Sequence, residues 1–155
     1  MLNRRPRSNL GRHVYGSGAI ALGVTGLVWG DFATVWQPVP ADCPHRTSLA
    51  YIAAICLIVA GAATQFRRTA RAGLLTLALL YQVFALLWLP RVVGYPGIFG
   101  TWAGFAEELA LVVAAMITYA TLAPVNTTGA FHAGNAINLA LIGAAWMVAE
   151  SISLQ

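Results

Sequence analysis

Along this chain, long stretches without a charged residue alternate with short polar segments. Asp, Glu, Lys and Arg are absent from residues 13–30, 47–66, 72–90 and 109–149, runs of 18, 20, 19 and 41 residues. A helix needs about 20 apolar residues to cross the hydrocarbon core of a bilayer. The first three runs each suit one crossing. The fourth is broken by Ala123-Pro124-Val125-Asn126-Thr127-Thr128-Gly129 and has room for two. The pattern predicts an all-α membrane protein: a four-helix transmembrane bundle plus a fifth C-terminal transmembrane helix. The bundle occupies residues 1–123, with helices at about 13–32, 47–66, 72–89 and 103–122. Residues 124–155 form a linker and the fifth hydrophobic helix, near 134–153.

Small residues mark the expected contact faces. Gly16, Ala19, Gly23, Gly26 and Gly30 recur at spacings of three and four, which places them on one side of the first helix. Small faces let helix backbones approach closely in lipid, and Gly26-x-x-x-Gly30 is the expected point of closest approach. The second helix has a similar stripe at Ala53, Cys56, Ala60 and Ala63, and the fourth at Ala103, Glu107, Ala110 and Ala114. An internal echo links residues 103–115 with 133–145, where eight of thirteen positions match without a gap.

Composition agrees with the pattern. Charged residues make up 9% of the chain and hydrophobic residues 59%, against about 25% charged in soluble domains. The formal charge of +4 does not point to nucleic acid, because of where it lies. All nine basic residues are Arg, and seven of them flank hydrophobic runs: Arg4, Arg5, Arg7 and Arg12, then Arg67, Arg68 and Arg71. This is the positive-inside arrangement, with Arg heads facing anionic lipid. It predicts a cytoplasmic (inner) membrane protein with its N-terminus in the cytoplasm. The segments 31–46 and 90–102 then lie outside. The first helix reads as an uncleaved anchor, since the apolar run is long and further spans follow.

Familiar catalytic arrangements are absent from the sequence. His13, His45 and His132 are distributed over both faces and form no haem or metal set. No nucleotide-binding or nucleophile-elbow motif occurs. Cys43 and Cys56 form no CxxC pair and differ in depth, so both are expected as free thiols. The chain therefore reads as a non-catalytic one.

The outer side gathers the unusual polar residues. Asp31, Trp36 and Gln37 follow the first helix, Arg91 follows the third, and Trp102, Glu107 and Glu108 open the fourth. Glu107 shares a face with Ala103, Ala110 and Ala114 and is expected to point into the bundle. Glu108, about 100° around the helix, is expected near water or headgroups. Arg91 is the expected partner of Glu107 or Asp31. Two readings of this group stand side by side. One is an Arg–carboxylate network that pins helix ends, with Trp36, Trp88 and Trp102 as an interfacial aromatic belt. The other is a pocket for a lipophilic ligand, whose polar head meets Arg91 and Glu107.

Three segments carry a family resemblance: Gly23 to Pro40 ending G-D-F-A-T-V-W-Q-P-V-P, the helix ending L-W-L-P-R, and the opening F-G-T-W-A-G-F-A-E-E. Together they resemble DoxX-like bacterial membrane proteins over roughly residues 10–123. The resemblance implies a four-helix membrane bundle and a link to quinone-coupled redox systems. Longer relatives carry two bundles in tandem, the second ending in a helix like G-N-A-I-N-L-A-L-I-G-A-A-W. This chain looks like one bundle plus that final helix. The resulting expectation is a membrane subunit that binds a lipophilic ligand, with quinone as the candidate. Its partners are the lipid bilayer and either a second copy of itself or a membrane redox protein. The alternative is a scaffold acting through helix packing alone.

Overall fold

A computed structural model of the chain describes residues 10–33 and 36–122, together with Leu139, Ile142 and Trp146. It contains four helices: α1 (Leu10–Trp29), α2 (Arg46–Gln65), α3 (Ala70–Gly94) and α4 (Phe99–Leu122). No strand occurs among the described residues. The fifth helix expected near 134–153 lies outside them, apart from Leu139, Ile142 and Trp146, which are helical. Ile142 packs on the cluster formed by Ala85, Trp88, Val92, Phe105, Ala106 and Leu109.

Three of the helices, α2, α3 and α4, are long and apolar enough to cross a membrane. The first helix is 20 residues long and carries Arg12 and His13 in its first turn. The charge-free run that suggested its bounds was offset from the helix. The helix starts at Leu10, three residues earlier than expected, and stops at Trp29 because Gly30 takes a left-handed φ of 65°. The Gly30 N–H closes on the Gly26 carbonyl at 3.0 Å, a glycine C-cap.

The third helix runs through Pro90 to Gly94, five residues past its expected end. Proline cannot donate to the carbonyl four residues back, but its ring keeps helical φ. Val92 beyond it is buried, so packing continues the helix past the lost bond. The fourth helix starts at Phe99 rather than near 103. The Thr101 hydroxyl donates to the carbonyl of Ile98 at 2.7 Å and fastens this first turn.

Successive helices are antiparallel. A Cβ placed on Gly16 would come 2.8 Å from the carbonyl oxygen of Gly61, and one on Gly23 would come 2.7 Å from that of Ala54. The opposed pairs 16/61 and 23/54 run in opposite directions. The glycine face of α1 is therefore spent within the chain, against α2. The closest approach lies at Gly16 and Gly23, not at Gly26, whose added Cβ would meet the Ala54 methyl at 3.3 Å and the Asp31 carbonyl at 3.9 Å. Likewise a Cβ on Gly73 would lie 2.6 Å from the Ala60 carbonyl, so α3 begins tight against α2. In α2 the buried face is Ala50, Ala53, Ala54, Leu57, Ala60, Gly61 and Thr64, and Cys56 is exposed instead.

Packing is most extensive within two hairpins, α1–α2 and α3–α4. One core cluster joins the hairpins through Leu57, Leu77, Tyr81, Phe84 and Val112. The Tyr15 hydroxyl donates to the Leu111 carbonyl at 2.9 Å and links α1 to α4. At the end bearing Arg67, Arg68 and Arg71, the Arg71 guanidinium donates to the Leu122 carbonyl and caps α4. Arg12, expected as a surface head, is buried in α1, where it donates to His13 Nε2.

Candidate functional site

The opposite end of the bundle holds the loop 30–45 and the turn 95–98. The residues singled out in the sequence divide into three separate places, two at this end and one in the core.

The first is the loop after α1. Asp31 Oδ1 accepts from the Phe32 N–H at 2.7 Å and from Arg46 Nε at 2.7 Å. The Phe32 backbone bond, and then Arg46, hold the Asp31 carboxyl below the usual carboxylate range. Arg46 also donates to the carbonyls of Val39 and Pro40, and its guanidinium lies 5.5 Å from the centre of the Phe32 ring. Gln37 is buried, and its Oε1 accepts from the Ala33 N–H at 3.0 Å. Phe32, Ala33 and Val39 are buried with it, while Trp36 remains 40% exposed. Every polar atom of this loop that Arg46 and Gln37 reach belongs to the loop itself, so the arrangement is a clamp.

Arg91, expected to pair with Asp31 or Glu107, pairs with neither. The one ion pair among the described residues is Arg46–Asp31. Arg46 escaped notice because it stands outside both Arg clusters. It nevertheless sits at the first position of α2, where a cation opposes the helix dipole, and that misplacement was a legible signal of a specific partner.

The second place is a cavity of about 510 Å³ between the end of α3 and the start of α4. Trp88, Arg91, Ile98, Thr101, Gly104 and Glu107 line it. The Arg91 guanidinium lies 5.2 Å from the centre of the Trp88 ring, a cation–π arrangement. The Trp88 ring lies against Gly104, and a Cβ there would come 2.7 Å from the indole carbons. Glycine at 104 thus admits the indole. Trp88, expected in an interfacial belt, is instead 7% exposed, and its Nε1 has no hydrogen-bond partner among the described residues. Trp102 sits beside the cavity, and its Nε1 donates to the Pro96 carbonyl at 2.9 Å.

Arg91 supplies a fork of N–H donors, Glu107 an acceptor and Trp88 an aromatic face, all at one cavity. That combination suits a molecule with a flat or apolar body and a polar head.

The third place is the core of the bundle. Glu107, expected to face inward, is only partly buried, and Glu108, expected near headgroups, is 1% exposed. The buried face of α4 runs through Thr101, Gly104, Phe105, Glu108, Leu109, Val112 and Ala115, a quarter turn from the small-residue stripe. Ala110 on that stripe is exposed. The longer α4 also sets Glu108 deeper. It is the tenth residue from Phe99, so it lies roughly 14 Å along the helix at the usual rise.

Comparison of the chain with models of protein families, with curated proteins and with solved structures returns no match, so the residues and their geometry carry the functional reading.

Proposed function

We propose that this chain is a multi-pass protein of the cytoplasmic membrane, N-terminus inside, that binds a lipophilic molecule through its polar head in the α3–α4 cavity. One observation carries the reading: Arg91, Glu107 and the Trp88 indole meet at a cavity of about 510 Å³ where two long apolar helices end. Such a place lets an apolar tail lie along α3 and α4 in lipid, while the head reaches the guanidinium. Ring carbonyls of a quinone would accept from Arg91, with the ring beside Trp88. The resemblance to DoxX-like proteins favours that ligand class. Any electron transfer would belong to a partner. A scaffold role is the alternative, but the glycine face that it would use is already occupied by α2.

The test is native mass spectrometry of the protein drawn gently from its own membrane. A retained quinone or lipid that is lost in Arg91→Ala and weakened in Glu107→Gln supports the pocket. Unchanged retention in both variants, with lower thermal stability, overturns it in favour of a purely structural role.

A further inference from the structure

The buried carboxyl of Glu108 takes no part in that cavity and needs its own account. Its side chain is 1% exposed, and both carboxyl oxygens lack a hydrogen-bond partner among the described residues. It stands one turn deeper than Gly104, well inside α4. The groups around it are phenolic or acidic. Tyr15 on α1 reaches α4 within one turn of Glu108, where its hydroxyl donates to the Leu111 carbonyl at 2.9 Å, Tyr81 on α3 is buried, and Glu107 is the neighbour of Glu108 on α4. The Tyr15 and Tyr81 rings meet edge to face at 6.2 Å. The buried face of α2 brings no titratable group, only Ala50, Ala53, Ala54, Leu57, Ala60, Gly61 and Thr64. The Arg46–Asp31 pair is at the loop clamp, and Glu108 forms no ion pair among the described residues.

A bare carboxylate in such surroundings loses its hydration and gains no counter-charge, at a cost of several kcal/mol. Carboxyls inside membrane helices that tolerate this are functional sites by default. We propose that Glu108 is a proton-binding site inside the bundle, a buried and unpartnered carboxyl that holds and releases one proton. The proton is the one ligand that needs no further room and no cation to accompany it. It removes the charge that burial penalises and turns one oxygen into an O–H donor while the other remains an acceptor. The site does not depend on what fills the cavity above it.

Infrared spectroscopy of the full chain in lipid nanodiscs reads the proton directly. The difference between wild type and Glu108→Gln at neutral pH is expected to contain the C=O stretch of a protonated carboxyl. That band should persist in Glu107→Gln. It should convert reversibly to the carboxylate pair as the pH is raised. A carboxylate pair for Glu108 at neutral pH overturns the proposal, and so does a protonated band that does not titrate before the protein unfolds.

Should Glu108→Gln fail to fold, dicyclohexylcarbodiimide gives a second reading on the wild type. The acid oxygen bonds to the carbodiimide carbon and the acid proton passes to a nitrogen. The acyl group then shifts to nitrogen, so nothing leaves and the peptide gains the whole reagent. An adduct on Glu108 that disappears at alkaline pH supports the site, and an adduct confined to Glu107 overturns it.

Discussion

At the residue scale, the loop clamp shows how one side chain ties the end of α1 to the start of α2. Arg46 makes a charge-assisted bond to Asp31 and two more to the Val39 and Pro40 carbonyls. Arg46→Ala is expected to lower stability by about 2 kcal/mol, the range for hydrogen bonds to charged groups, measurable by thermal unfolding in nanodiscs. Asp31 adds a pH dependence whose sign follows from its lowered pKa. The folded chain prefers the ionised form, so the contribution is complete above the ordinary carboxylate range. It is lost as the pH falls through the lowered value. Asp31→Asn should remove that acid-dependent step from a stability–pH curve, and an unchanged step would assign it elsewhere. The exchange of roles between Glu107 and Glu108 has a related lesson. Ala103, Ala110 and Ala114 share a helical face with Glu107, yet small side chains also face outward on α4, as Ala110 does. In a bilayer a small residue is compatible with lipid and with a neighbouring helix alike, so the stripe could not say which carboxyl turns inward.

At the element scale, the sequence displayed the helices better than their ends. Charge-free runs located α2 to within one residue, because Arg46 and Arg67 lie close to its ends. The same rule misplaced α1, where Arg12 enters the helix and Gly30 ends it, and α3, where Pro90 does not end it. A glycine stripe was legible on α1, but its tightest point was not, since closeness depends on the facing residue as well. Three alanine substitutions separate these effects. Gly16→Ala should destabilise by about 1–3 kcal/mol through overpacking against the Gly61 carbonyl. Gly26→Ala, whose nearest neighbour is a methyl at 3.3 Å, should cost far less. Gly18→Ala meets nothing within 4 Å and should stabilise α1 by up to ~1 kcal/mol through helix propensity. Thermal unfolding of the three variants side by side checks the order, and equal effects would deny the close α1–α2 approach.

At the scale of the whole molecule, orientation in the bilayer is open to a direct test with the two native thiols. Cys43 lies in the loop before α2, and Cys56 lies within α2 on an exposed face. With the N-terminus in the cytoplasm, a membrane-impermeant maleimide should label Cys43 in intact spheroplasts and leave Cys56 unmodified. Labelling of Cys43 only after lysis would reverse the orientation.

The pairing of helices also bears on how the chain enters a membrane in the first place. Because α3 packs more extensively on α4 than α2 does on α3, the second hairpin is the natural unit to leave the insertion machinery together. A lone α4 would present the Glu108 carboxyl to lipid tails. Delivered with α3, it arrives with the Tyr81 side of its partner already alongside. The polar centre of the bundle is then a reason for α3 to stay until α4 follows, and the order of synthesis, third helix before fourth, supplies the shield before the group that requires it.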